Sequence, residues 1–231
     1  MSSIKPISQH SIDYIWQIIK HCDSLGLGTG RTVEGLLYAL WSDVSKRSHL
    51  TSMMLVSSSQ RTTQYVQQIS DHQLIIQDPL QVHPLELYCD GADVVNDHGI
   101  ALKGLGGAMV CEKLLATQAD HFICLIQPNK KSDFQDEHVL PIAVIPQARS
   151  FVARALLNIY PNVIIRYRSG VVTDEGCHIL DVQNVPWHDL KGIESHINDI
   201  PGCLGHGLFA HRSVDTLVID DGNQSVIESN Q

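Results

Sequence analysis

Apolar positions recur along the chain with two periods, and the switches between them outline the elements. Ile12, Ile15, Trp16 and Ile19 keep the i, i+3, i+4, i+7 spacing of one helical face, which predicts a helix ending before Cys22. Ser24-Leu-Gly-Leu-Gly-Thr-Gly30 reads as a short strand running into a glycine turn, and Val33, Leu36, Leu37, Leu40 and Trp41 mark the next helix. Met53 to Val56 and Leu85 to Cys89 predict strands, separated by a polar helix reaching Ile69. Lys103-Gly-Leu-Gly-Gly107 opens a helix through Thr117, and His121 to Ile126 is a further buried strand. Strands alternating with helices predict an α/β fold with a mostly parallel, Rossmann-like sheet covered by helices on both faces.

The rhythm changes after Pro128. Asn129 to His138 is polar and reads as a linker; Leu140 to Ile145 and Val163 to Arg168 read as strands around a helix marked by Val152, Ala155, Leu156 and Ile159. Val171–Val172 and His178 to Val182 flank Asp174-Glu-Gly176, a hairpin signal, and a short helix follows at Ile193 to Ile197. This predicts a smaller α+β domain over 131–206. Gly207 to Ala210 and Val214 to Ile219 are expected to rejoin the first sheet, so that 1–130 and 207–231 form the larger domain.

Composition narrows the classes. Of 231 residues 43% are hydrophobic, enough for a substantial core, so a disordered chain is excluded. Sixteen Lys and Arg against 25 Asp and Glu give a net charge of −9, which argues against an electrostatic nucleic-acid binder and leaves room for one small basic pocket. No apolar run approaches the roughly 20 residues of a membrane span, and the N-terminus lacks the apolar core of a secretory signal. Six scattered cysteines without a C-x-x-C pair are expected to be reduced thiols in a cytoplasmic protein. The 13 histidines include no H-E-x-x-H, and His206 and His211 are expected to be exposed polar residues, with no metal site.

Three segments carry candidate chemistry. A strand feeding Gly-x-Gly and then a helix turns backbone N–H groups and the positive helix end toward an anion. A dinucleotide is disfavoured, because the third glycine of the fingerprint is replaced by Arg31 and the second strand ends in serines. Thr29, Arg31 and Thr32 with Ser57 to Ser59 look instead like donors around a single phosphate, against the alternative of an ordinary tight turn. Asp90 and Asp93 follow a buried strand, at the sheet edge where open α/β folds bind ligands, and paired carboxylates there manage hydroxyl protons; loop aspartates capping turn amides are the plainer alternative. Lys103 precedes a glycine-opened helix that carries Glu112 on a largely apolar stretch. A desolvated carboxylate there suits a general base and Lys103 an oxyanion stabiliser, whereas a solvated Glu112–Lys113 pair is the alternative.

In order and spacing these segments resemble ribose-5-phosphate isomerase of the A type. The match rests on Gly28-Thr-Gly30, Thr32, Ser57-Ser-Ser59, Asp90-Gly-Ala-Asp93, Lys103-Gly with Gly106, and Glu112-Lys113. It continues through Val144-Ile-Pro146, Val172-Thr-Asp174, Ile179-Leu-Asp-Val182, Ile200-Pro-Gly202 and Gly207-Leu-Phe-Ala210. The resemblance implies an aldose–ketose isomerase of the pentose phosphate pathway acting on ribose 5-phosphate and ribulose 5-phosphate, with no metal or organic cofactor, forming homodimers or homotetramers.

It also implies roles. Glu112 carries the proton between C2 and C1, Asp90 assists ring opening, Asp93 holds hydroxyls, and Lys103 with the backbone of Gly104, Leu105 and Gly106 stabilises the enediolate oxygen. Thr29, Gly30, Arg31 and Thr32, with Gly91 and Ala92 of the aspartate loop, line the substrate site. Lys130 completes it, and Lys5 matches a phosphate-contacting lysine. The chain departs from the family at Arg31 (usually serine), Val94 (glutamate), Leu105 (glycine) and Cys111 (arginine). Those departures motivate two other readings, a non-catalytic sugar-phosphate sensor and an isomerase for another phosphorylated aldose.

Overall fold

The computed structural model describes residues 5–79 and 84–229. The chain divides into two compact units, one of Met1–Gly91, Leu114–Lys131 and Val214–Gln231, the other of Ala92–Lys113 and Ser132–Ser213. Elements are numbered along the whole chain.

The first unit contains helices α1 (Gln9–Ile19), α2 (Arg31–Ser42), α3 (Val44–Ser52) and α4 (Gln60–Ile69), and strands β1 (Ser24–Leu27), β2 (Met54–Ser57), β3 (Leu85–Asp90), β6 (Ala119–Ile126), β12 (Thr216–Asp220) and β13 (Ser225–Ser229). The strands form one sheet in the order β13-β12-β6-β3-β1-β2, parallel throughout except for β13 at one edge. Its strands are nearly continuous in buried apolar residues, as a sheet covered on both faces requires. The predicted helical faces supply the cover. Ile12, Ile15 and Ile19 of α1 and Val33, Leu36, Leu37, Leu40 and Trp41 of α2 pack in one core with Leu25, Leu27, Leu55, Leu87 and Ile123. Each such side chain, fully buried, contributes about 1.5–3 kcal/mol. Helix α1 is fastened at its start: Ser8 caps it, and Asp220 of β12 accepts from the Ser8 amide at 3.1 Å and the Ser8 hydroxyl at 2.5 Å.

The chain runs from β1 to β2 on one side and to β3 on the other, so β1 and β3 flank a topological switch point, the place where open α/β sheets bind ligands. The glycine turn after β1 and Asp90 at the end of β3 both lie there.

The second unit holds β4 (Val94–Val95), β5 (Ala101–Leu102), the first residues of α5 (Met109–Gln118), β7 (Leu140–Val144), α6 (Arg149–Ile159), β8 (Ile164–Tyr167), β9 (His178–Gln183), α7 (Leu190–Asn198), β10 (Cys203–His206) and β11 (Leu208–Phe209). An antiparallel sheet in the order β10-β7-β9-β8 packs Ile142, Val144, Leu180 and Val182 against Val152 and Leu156 of α6 and Ile193 and Ile197 of α7. A three-stranded sheet, β11-β5-β4, completes the unit.

Three expectations are corrected here. Gly207 to Ala210 does not rejoin the large sheet: Leu208 and Phe209 pair with Leu102 and Ala101, which draws Ala92–Lys113 into this unit as well. Val171–Val172 is not a hairpin strand. β9 pairs with β8, and Thr173 closes the intervening turn on Cys177 by backbone bonds in one direction and its hydroxyl in the other. His206 is not exposed but fully buried, with Nδ1 accepting from the Leu208 amide at 3.3 Å and Nε2 donating to Asn198 Oδ1 at 3.1 Å.

Burial, and next the charge of Lys113, push the His206 pKa well below its ordinary 6.5. The unfolded chain therefore binds a proton below pH 6.5 that the folded chain refuses, and this contribution to stability, complete above 6.5, drains as pH falls beneath it. Urea melts at about pH 7.5 and about pH 5.5 should show a His206→Asn variant losing less stability than the parent, by up to about 1.4 kcal/mol per pH unit. Parallel losses in the two proteins would contradict the assignment.

Candidate active site

The expected site residues divide between the two units. In the first, Gly28 donates its amide to the Cys89 carbonyl at 2.8 Å, which draws the turn after β1 against the end of β3. Asp90 is 1% exposed; its Oδ1 accepts from the amides of Thr29 at 3.1 Å and Gly91 at 2.7 Å, and its Oδ2 from the Tyr88 hydroxyl at 2.6 Å. A Cβ on Gly28 would overlap the Asp90 carboxyl, so the glycine is set by the aspartate's position. Tyr88 carries no sequence signal beyond its place in an apolar strand, where its ring is wholly buried and packs against Phe122.

The serines proposed as phosphate donors are used within the protein. Ser59 caps α4 by accepting from the Thr62 amide at 3.2 Å, Ser58 and Ser59 bond the Thr29 hydroxyl at 2.9 and 2.7 Å, and Ser57 bonds Thr63 at 2.6 Å. Gly30 opens α2 without a side-chain cap, leaving the helix's positive end to its first residues Arg31 and Thr32. Lys5 donates to Gln127 Oε1 at 2.7 Å, and its pKa is lowered by burial and then by the charges of Lys130 and Arg31. The charges of Lys130 and Arg31 thus both act on Lys5, a state that a bound anion would relieve.

In the second unit Lys103 follows β5 with its amide fixed on the Gly207 carbonyl at 2.8 Å. Its ammonium lies 3.5 Å from Glu112 Oε2, and the two side chains are only 3% and 4% exposed. The backbone between them turns at Gly104, with φ +93°, where a Cβ would press on Met109 at 2.9 Å and Pro141 at 3.0 Å. Leu105 and Gly106 are exposed at the turn, while Ala92 is buried. Asp93 accepts the Leu105 amide on Oδ2 at 3.3 Å, so one of its oxygens holds the turn itself. Lys113 does not pair with Glu112: it binds Glu194, whose other oxygen accepts the amides of Ala210 at 2.6 Å and His211 at 2.8 Å. A desolvated carboxylate facing an ammonium at the start of a helix is a proton-transfer arrangement, and the solvated alternative is removed.

The family model for ribose 5-phosphate isomerase A (phosphoriboisomerase A) matches residues 54–224. The chain belongs to this family. Solved structures agree. Ribose 5-phosphate isomerase A from Neisseria gonorrhoeae is 25% identical with a TM-score of 0.82, over 98% of this chain and 100% of that one. A D-ribose-5-phosphate isomerase in complex with phospho-erythronic acid is 26% identical with a TM-score of 0.82, over 97% and 100%. Ribose 5-phosphate isomerase A from Methanocaldococcus jannaschii, 24% identical with a TM-score of 0.80 over 94% and 97%, shares the fold. The chain is accordingly an aldose–ketose isomerase that interconverts ribose 5-phosphate and ribulose 5-phosphate.

The departures from the isomerase pattern now have surroundings. Val94 is buried in the second unit's apolar core. Cys111 donates to Glu175 Oε1 at 3.0 Å; burial first and then Glu175 push its pKa up to about 12, so it stays a neutral thiol beside Glu112. Arg31 adds a charge beside Lys5, and Leu105 places a large exposed side chain on the turn between Lys103 and Glu112.

Replacing Lys103 by methionine removes the counter-charge of a buried carboxylate. Urea denaturation of Lys103→Met at neutral pH should show a loss of about 3–5 kcal/mol. A loss below about 1 kcal/mol, the range of ordinary surface changes, would mean that the pair is not desolvated as described.

Proposed function

We propose that Glu112 is the base that moves the proton between C2 and C1 of the open-chain sugar, and that Lys103 holds the enediolate oxygen. The buried 3.5 Å pairing of these two groups carries this reading. As the carboxylate takes the C2 proton, negative charge passes from Glu112 to the substrate oxygens. Lys103 then faces one anion before the step and one after, so the barrier is not raised by charge separation. Passage of the O2 hydroxyl proton to O1 and delivery of the proton held on Glu112 to C1 complete the isomerisation and restore the pair.

Asp90 takes the proton of the anomeric hydroxyl as the bond from C1 to the ring oxygen breaks and gives it to that oxygen, its carboxylate aimed by Tyr88, Thr29 and Gly91. Arg31 and Lys130, with Lys5 and the start of α2, bind the phosphate, and Thr29, Gly30 and Thr32 line that side. Gly91, Ala92, Asp93, Gly104, Leu105 and Gly106 border the sugar. Every step uses side chains of the chain itself. The retained base and lysine favour turnover over a sensor, since sugar-phosphate binding alone has no use for a desolvated carboxylate.

We propose further that the enzyme is a cytoplasmic member of the pentose phosphate pathway and assembles as a homodimer or homotetramer. Support for the compartment comes from six cysteines that form no disulfide. Among the described residues no helix is long and apolar enough to cross a membrane. Support for assembly comes from the exposed apolar side chains Phe151, Leu157, Ile159 and Ile164 in the second unit.

A coupled assay should show turnover of ribose 5-phosphate by the parent protein. Glu112→Gln should lower kcat by about two to four orders of magnitude with KM little changed. An unaffected kcat would remove Glu112 from this role, and a strong preference of the parent for a hexose phosphate would favour the reading as another aldose's isomerase.

A further inference from the structure

The turn between Lys103 and Glu112 is rich in glycine, whose backbone rotates freely, yet a reaction that places an oxyanion there needs its peptide planes fixed. The Gly107 amide closes the turn on the Gly104 carbonyl at 3.0 Å, and Arg168 adds a side-chain hold. Its Nε donates to Asp181 Oδ2 at 2.8 Å and one Nη to Asp181 Oδ1, a fork on a single carboxylate. The other Nη donates to the Leu105 carbonyl at 2.9 Å and reaches the Gly104 carbonyl at 3.5 Å. The guanidinium itself has little freedom: Arg168 donates its own amide to the Ile179 carbonyl at 2.9 Å, Asp181 stands on β9, and the pair is only 17% and 23% exposed.

In a trans peptide the carbonyl and the following amide point in opposite directions. Holding the Gly104 carbonyl therefore turns the Leu105 amide away from Arg168, and that amide meets Asp93 Oδ2 at 3.3 Å. Holding the Leu105 carbonyl turns the Gly106 amide the same way. Arg168 and Asp93 thus grip the Gly104–Leu105 plane from opposite sides, and Arg168 also holds the plane after it.

We infer that Arg168 is a positioning residue for the isomerase: through the carbonyls of Gly104 and Leu105 it sets the planes that follow Lys103, and so aims the Gly106 amide and the Lys103 ammonium at the developing enediolate oxygen. The inference rests on the proposed roles of Lys103 and Glu112. It makes Arg168 matter to the rate rather than to the affinity, because the planes it sets bear on charge that appears only as the reaction proceeds.

Arg168→Lys keeps the charge but cannot fork onto Asp181 and reach the Leu105 carbonyl together. Its kcat for ribose 5-phosphate should fall about a hundredfold while KM stays within about threefold. Added guanidinium should restore part of the kcat of Arg168→Ala in a saturable manner, which general loosening of the fold does not predict. An unchanged kcat in Arg168→Lys, or a loss in Arg168→Ala that guanidinium leaves untouched, would overturn the inference while the parent remains active; an inactive parent would instead defeat the underlying assignment. If neither variant folds, side-chain NMR of the unsubstituted enzyme decides: separate, slowly exchanging Nη signals for Arg168 are expected, and a single averaged signal would overturn the role.

Discussion

The structure turns on a buried ion pair that a stability argument alone does not explain. Lys103 and Glu112 are almost wholly removed from water, at a cost of several kcal/mol for each charge. Their attraction at 3.5 Å offsets part of that cost, and an apolar pair of equal volume would match or exceed the stability. The proposed proton transfer gives the pair a use that stability does not. The surrounding backbone is arranged accordingly: Lys103 is anchored to Gly207, the chain reverses at a glycine in a left-handed conformation, and Glu112 sits in the first turn of α5.

The first unit shows a complementary use of charge. A protein of net charge −9 brings the charges of Arg31, at an uncapped helix start, and Lys130 to bear on Lys5, a setting that favours an anion. Asp90 close by in the sequence of the sheet edge is handled in the opposite way, with three donors from Tyr88, Thr29 and Gly91 holding one carboxylate. Neighbouring cations suit a ligand that brings negative charge, and a well-bonded carboxylate suits a group that must keep its orientation.

Much of this was legible in the sequence because the parallel sheet writes itself as apolar runs and its covering helices as apolar stripes. Lys103 is marked by the glycines that follow it and Glu112 by its apolar stretch, and close approaches explain Gly28, which lies against Asp90, and Gly104, which follows Lys103. What was not legible has physical reasons. Helix α3 buries only Lys46 and Leu50, so it leaves no stripe. Strands β4 and β5 have two residues each, too few to show a period, and only their pairing with β11 reveals why Ala92–Lys113 belongs to the second unit. His206 looked like a surface residue because no local pattern shows that Leu208 and Asn198 satisfy both ring nitrogens. Tyr88 and Arg168 act through contacts that composition and spacing do not encode.

The central claim is that a carboxylate carries the proton between neighbouring carbons. Isomerisation of ribose 5-phosphate by the unsubstituted enzyme in heavy water, with the ketose examined at C1 by NMR, tests it most directly. A base that takes the C2 proton holds it where exchange with solvent competes with return, so deuterium should appear at C1 during a single conversion. Product free of solvent deuterium, with the original C2 hydrogen wholly retained, would indicate direct hydride migration and contradict the role assigned to Glu112.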